Sequence, residues 1–302
     1  MPALYDKLHT LLRVRDTLSK ALYWIRLPFY SSSIAEVERI QGEIINVLSA
    51  KEGKVGEAIW SALEEIGSRI LESLDDGHGS SYTQIPQGIS DIDKATMSVM
   101  MYVVFLQHNY RLVAPIASEA ANVGKYVPLV GAVPPPTSLA MEMVSCLDEK
   151  LANKSEAFPD QSLRFLFLLN NSSFIADQLH QYAPYFPKSY KVDLAGKVEG
   201  YMERYIQVSW ALVLSCLINP TPCCFGRNYS PLSKFKSEFQ KMYNTQKLWK
   251  VPHPRLRNRL RKAIIDKVIP CYMWYYLAEY GNASQKFRPL YLQEMLQELF
   301  EG

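Results

Sequence analysis

Apolar residues recur at helical spacing along nearly every long segment of this chain, and no segment sustains an alternation of two. Leu4–Ile25 carries Leu4, Leu8, Leu11, Leu12, Leu18 and Leu22; Ile34–Leu48 carries Ile34, Val37, Ile44, Ile45 and Leu48. Val55–Leu74 places Ile59, Leu63, Ile66, Ile70 and Leu74 on one side and Glu64, Glu65, Arg69 and Glu72 on the other. These spacings bury one face of a helix and wet the opposite one. Further helices are predicted near Ile92–Ser118, Ser138–Ala152, Asp160–Gln181, Lys191–Ile218, Ser230–Lys247, Pro254–Tyr280 and Pro289–Phe300. The breaks between them are rich in Gly, Ser and Pro, which stop helices sharply. The expected fold is all-α: an elongated rod of stacked antiparallel helical bundles. It is read as one continuous domain over residues 1–302, with sub-bundles near 1–75, 91–182 and 190–302. No fixed repeat period is present, which disfavours regular repeat arrays.

Charge is unevenly spread. Residues 1–150 hold 13 Lys and Arg against 18 Asp and Glu, whereas residues 151–302 hold 20 against 12. The second half is therefore the positive end, and an anionic partner is drawn there. The start, MPALYDKLHT, has no apolar core of the kind a secretory signal needs. The apolar runs Met97–Leu106 and Val208–Ile218 are about half of the ~20 residues required to span a bilayer. Five cysteines without a signal fit free thiols in a reducing compartment.

Catalytic and metal-binding patterns are missing. There is no Gly-rich phosphate loop, since Gly53 and Gly56 in KEGKVGE lack the Gly-Lys-Ser/Thr ending. The five histidines are scattered, and Cys223 and Cys224 are adjacent rather than spaced as a CxxC pair. Cys216, Cys223, Cys224 and His253 read as core or loop residues in preference to a zinc site. His108, beside an apolar run, reads as an interior or boundary residue. The pairs Glu64–Glu65 and Asp75–Asp76 read as solvated surface. The chain is therefore expected to be no enzyme and to need no cofactor or metal.

The unusual stretch is LWKVPHPRLRNRLRKAIIDKVIP, residues 248–270. Leu256, Leu260, Ile264 and Val268 make a buried row, yet Arg255, Arg257, Arg259, Arg261 and Lys262 crowd the same turns, with no acid before Asp266. Arg255, Arg259 and Lys262 share the face opposite the apolar row. Arg257 and Arg261 border the row, where their stems cover it and leave the charge in water. Like charges four residues apart repel by a few tenths of a kcal/mol, so a helix gains nothing from this arrangement alone. Two readings remain open. Acidic residues elsewhere in the chain meet the stripe, or it is simply solvated. Alternatively, it is a docking surface for lipid headgroups, an acidic protein or nucleic acid.

Residues 233–281, SKFKSEFQKMYNTQKLWKVPHPRLRNRLRKAIIDKVIPCYMWYYLAEYG, resemble the C-terminal region of the seventy-kilodalton exocyst subunit family, particularly its plant members. The resemblance rests on Phe235 and Phe239, then Thr245, Gln246, Trp249, Val251, Pro252, Pro254, Leu256 and Arg257, then Lys267, Val268, Ile269, Pro270 and Tyr272. FLFLLNNSSFI, with the paired Asn170 and Asn171, SWALVLSCL, and the ending KFRPLYLQEMLQELFEG extend it over nearly the whole chain. The TQ-x-x-W-x-VP-x-P-x-LR run is the specific part. There are departures: Ser284 stands where a basic residue is frequent, His253 where Asp is common, and Asn258 and Arg259 where acids usually follow. By the resemblance, the chain is expected to lack the family's N-terminal coiled region, since it begins where that region should already have ended.

The resemblance implies a non-enzymatic vesicle-tethering subunit or shortened derivative, acting in exocytosis. It further implies peripheral binding to anionic lipid, phosphatidylinositol bisphosphate included, and carries Lys267 and Lys286 over as contact residues. With the basic stretch and Arg288, the expected contact set is Arg255, Arg257, Arg259, Arg261, Lys262, Lys267, Lys286 and Arg288. Other exocyst subunits are expected partners, with stable entry weakened without the coiled region. A competing reading is a defence-related paralogue that docks a pathogen effector or immune receptor. Its pocket would be lined by Tyr272, Trp274, Tyr275, Tyr276, Phe287 and Tyr291, a cluster that plain core packing would also explain. No recognised DNA- or RNA-binding module accompanies the charge, so nucleic acid is not expected as a partner. With no lipidation motif at either end, a cytoplasmic pool with reversible association at the plasma membrane is expected.

Overall fold

A computed structural model describes residues 2–27, 35–75, 91–129, 131–218, 231–279 and 288–302. Ten α-helices account for most of them: α1 (Pro2–Arg26), α2 (Ala35–Asp75), α3 (Lys94–His108), α4 (Tyr110–Asn122), α5 (Pro135–Ser155), α6 (Gln161–Tyr182), α7 (Lys188–Ile218), α8 (Pro231–Gln246), α9 (Pro254–Glu279) and α10 (Pro289–Gln297). The only extended pairing among the described residues is a single bridge between Lys250 and Glu301, so the all-α expectation holds. Proline opens α5, α8, α9 and α10, where its missing N–H is not needed. Asp160 caps α6 by accepting from the N–H of Ser162 at 2.6 Å, and Asp93 likewise accepts from Ala95 at 2.8 Å ahead of α3.

Two boundaries differ from the periodic reading. The segments 34–48 and 55–74 fuse into the 41-residue α2. The intervening Lys51, Glu52, Lys54 and Val55 keep the helix going, and Gly56 lies buried where an added Cβ would come within 3.7 Å of the Arg15 side chain. The long helix expected from Ile92 to Ser118 is instead interrupted at Asn109. There the Asn109 side chain donates at 3.0 Å to the Phe105 carbonyl, which the Asn109 N–H also reaches at 3.1 Å, so side chain and ladder share one acceptor.

The chain divides into two compact units. The first comprises Met1–His78, Ser98–Leu147 and Tyr182–Tyr185. Within it, Gln41 of α2 donates to the Ile25 carbonyl of α1, while Glu52 meets Ser19 and Arg15. The two helices therefore run antiparallel. Leu8, Leu12, Leu22, Ile59, Leu63, Ile66, Val103, Leu106, Val113 and Ile116 form the core between them and their neighbours.

The second unit comprises Gly79–Met97, Asp148–Gln181 and Phe186–Gly302. Residues 166–173 in the middle of α6 are all buried, which is why its apolar run shows no amphipathic period. Its paired asparagines are ligands for backbone. Asn171, fully buried, accepts from the Asp93 N–H at 2.9 Å and from Thr96 Oγ1 at 2.7 Å, and donates to the Phe167 carbonyl at 2.9 Å. Asn170 donates to the Lys250 carbonyl at 3.1 Å. Replacing Asn171 with Ala strands the buried Thr96 hydroxyl and the part-buried Asp93 N–H, and stability measured by urea denaturation is expected to fall by about 2–3 kcal/mol.

The run after α8 folds by the same logic. Trp249 is buried and meets Tyr205 edge-on at 6.5 Å, Gln246 and Val251 are buried, and the Val251 N–H donates to the Phe300 carbonyl at 3.2 Å. Phe300 is itself fully buried and carries a positive φ of 68°. The last residues are thus tucked against the segment that leads into α9.

Candidate functional site

Helix α9 begins at Pro254, with the Arg257 N–H donating to the His253 carbonyl at 3.0 Å. Its inner row is Leu256, Leu260, Ile264, Val268 and Tyr272, each no more than 2% exposed. That row fixes the basic residues on the remaining faces. Four arginines then fall in the first two turns, where the positive end of the helix dipole disfavours cations. The fold offsets this by bringing in carboxylates and a carbonyl from a distance.

The expected contact set divides into two groups. Arg257, Arg259 and Arg261 have partners. Arg257 Nη1 lies 3.0 Å from Glu301 Oε2, and Arg261 Nη2 lies 2.6 Å from Glu301 Oε1. Arg261 Nε also donates to the Leu299 carbonyl at 2.8 Å. The hydrogen bond from Arg261, together with both nearby guanidiniums, holds the Glu301 carboxyl below the usual carboxylate range. The carboxylate therefore stays ionised at neutral pH. Arg259 pairs with Glu199 of α7. That pair borders a cleft of about 200 Å³ lined also by Asp177, His180 and Lys191, where desolvation lowers the Lys191 pKa.

Arg255, Lys262, Lys267 and Arg288 form the second group. All four are exposed, and no ion pair joins them to any of the described residues. Lys286 and Phe287 lie outside the described residues. The reading in which acids meet the stripe is thus met for its arginines at 257, 259 and 261, and the open surface is narrower than the sequence suggests.

Among the described residues, the aromatic set is not brought together as one pocket. Tyr272 is fully buried, with its ring stacked on Phe235 at 4.9 Å and 5.9 Å from Tyr276. It belongs to the core. Trp274 is 78% exposed, and only it and Tyr275 share a depression, with Leu217, Pro270 and Cys271. Tyr291 stands half exposed on α10. Of the residues considered for zinc, the described Cys216 and His253 each have another partner. Cys216 donates to the Leu212 carbonyl at 3.3 Å, His253 Nδ1 lies 3.7 Å from Asp177, and Cys223 and Cys224 lie outside the described residues. Among the described residues no group of three or more His, Cys, Asp or Glu could hold a metal, and no helix is long and apolar enough to cross a membrane.

Comparison with known proteins places the fold. The family described as the C-terminal part of the Exo70 subunit of the exocyst complex matches residues 2–298. Exocyst complex component EXO70C1 of Arabidopsis thaliana is 23% identical over 300 residues, covering 89% of this chain and 45% of its own length. EXO70C2 of the same plant is 21% identical, covering 88% of this chain and 40% of its own length. EXO70B2 is 29% identical over a shorter 132 residues. This chain therefore spans less than half the length of these relatives. Two solved structures of S. cerevisiae Exo70 superpose with TM-scores of 0.53 and 0.55, at 15% and 14% identity, covering 95% and 98% of this chain and 58% and 59% of theirs. At that identity the likeness is one of fold.

Proposed function

The chain belongs to the Exo70 exocyst-subunit family, and from that premise we propose that it acts as the C-terminal helical part of a vesicle-tethering subunit in exocytosis. It binds rather than catalyses. Its exposed α9 cations contact an anionic, phosphoinositide-bearing membrane, and its association with that membrane is peripheral and reversible.

The observation that carries this reading is the group of Arg255, Lys262, Lys267 and Arg288, exposed and without carboxylate partners among the described residues. Cations that the fold does not neutralise are free to displace counterions at an anionic surface. Each contributes about 1 kcal/mol close to such a leaflet. Four give roughly 4 kcal/mol before orientational losses, which is enough for salt-sensitive contact and too little for permanent anchoring. Co-sedimentation with phosphatidylcholine vesicles tests this. Binding is expected to rise as phosphatidylinositol bisphosphate is added and to fall as ionic strength shortens the reach of the charges. Equal binding to neutral and anionic vesicles would overturn it. Affinity purification from plant cells tests the tethering role separately, through recovery of other exocyst subunits.

Glu301 tunes the same surface. It occupies the guanidiniums of Arg257 and Arg261. Glu301→Gln should release much of that charge and raise affinity for anionic vesicles about three- to tenfold. The thermal midpoint should fall by only a few degrees, since Glu301 is itself 57% exposed and Arg261 keeps its hydrogen bond to the Leu299 carbonyl.

A further inference from the structure

The solvent-facing stripe of α9 does not stay basic. Arg255, Arg259, Lys262, Pro270, Met273 and Leu277 fall on one line along the helix, with Asp266 at the changeover. Lys267 and Trp274, two helical turns apart, run beside it. Beyond Lys267 the line becomes apolar. Met273 is 44% exposed, Trp274 78% and Leu277 67%. None of the three serves the inner row, which ends at the fully buried Tyr272. Three large apolar side chains thus stand in water within two turns of a helix whose other end presents Arg255 and Lys262, without carboxylate partners among the described residues.

We propose that Met273, Trp274 and Leu277 form a hydrophobic wedge that enters the interfacial zone of the anionic bilayer contacted by Arg255, Lys262 and Lys267. The proposal rests on the membrane reading above and extends it from electrostatic contact to shallow insertion. Continuity of the two chemistries on one face favours a bilayer. From Lys262 to Trp274 the helix advances about 18 Å at 1.5 Å per residue, so α9 lying along the surface presents both ends at once. Anionic headgroups and hydrocarbon lie side by side at a membrane surface, in reach of these two parts of one stripe. An amphipathic helix in that position buries its apolar side roughly 5–10 Å into the headgroup–acyl boundary. Tryptophan concentrates at that level, its ring apolar and its N–H still hydrogen-bonded.

The test uses the full chain and vesicles of phosphatidylcholine, phosphatidylserine and phosphatidylinositol bisphosphate. Trp274→Ala is expected to weaken partitioning about tenfold while leaving its salt dependence unchanged. Lipids brominated in the acyl chain are expected to quench the fluorescence of the wild type and not that of Trp274→Phe. That comparison isolates Trp274 from Trp24, Trp60, Trp210 and Trp249. Both variants should melt as the wild type does, because the ring is exposed. If the wild type binds anionic vesicles, yet Trp274→Ala binds equally and bromine quenches nothing, the wedge is overturned and the electrostatic contact stands. If the wild type fails to bind anionic vesicles, the membrane reading itself falls and the wedge with it. If light scattering shows a dimer that Trp274→Ala dissociates, the patch belongs to a second copy and the proposal is overturned.

Discussion

Replacing Arg255, Lys262 and Lys267 together with Glu is expected to lower affinity for phosphoinositide vesicles by at least about a hundredfold, with the fold intact. Loss of three attractions at about 1 kcal/mol each accounts for that factor, and the repulsion of three new carboxylates adds to it. The positions are chosen because none has a carboxylate partner among the described residues, so no internal contact is broken. Glu at 255 would also sit in the first turn of α9, where the helix dipole favours an anion. The variant should therefore melt no lower than the wild type, and lost binding cannot be blamed on unfolding. The contrasting variant Arg257→Glu/Arg261→Glu would face Glu301 directly. Those side chains are only 20% and 13% exposed, and that variant should loosen the tail instead. Co-sedimentation and circular-dichroism melting read the two effects apart. Unchanged vesicle binding after the triple reversal would remove the stripe from the mechanism.

What the sequence makes legible here is what local spacing encodes. The four-residue row from Leu256 to Tyr272 is buried as its period requires, and the prolines at 135, 231, 254 and 289 open helices. Spacing does not reveal that Gly53 and Gly56 leave α2 unbroken, because glycine in a helix costs only about 1 kcal/mol and neighbouring contacts can outweigh that. Nor does it reveal the interruption at Asn109, where a side chain and a backbone N–H share one carbonyl. The site is legible to the same degree. The basic helix is plain in the sequence, but its acidic partners are not. Glu301 meets Arg261 across 40 positions of chain and Glu199 meets Arg259 across 60. No periodic pattern links residues so far apart, and only the tucking-in of Phe300 brings the final carboxylate to the helix. The asparagine pair in α6 is visible as a feature of the resemblance, while its reason, the reception of backbone from residues 93 and 250, appears only with the tertiary structure.

Tyr272→Ala is expected to cost about 3–5 kcal/mol of stability, the range for emptying a buried aromatic site. For a unit of this size that lowers the melting temperature on the order of 10 °C. Trp274→Ala, on the same helix, should change stability by less than about 0.5 kcal/mol. In the sequence the two residues belong to one aromatic cluster and nothing in composition separates them. Geometry does, since a step of two residues turns about 200° around a helix. Tyr272 continues the inner row and stacks at 4.9 Å on Phe235, whose ring in turn lies 5.8 Å from Phe239. Removing it opens a void bounded by α8, which α9 can close only by moving its whole inner row. Trp274 faces outward and leaves nothing empty when truncated. Urea denaturation of the two variants side by side measures the difference directly. A Tyr272→Ala protein as stable as the wild type would mean that the α8–α9 packing does not hold this unit together. The outward placement of Trp274, and with it the apolar half of the stripe, would then lose its structural basis.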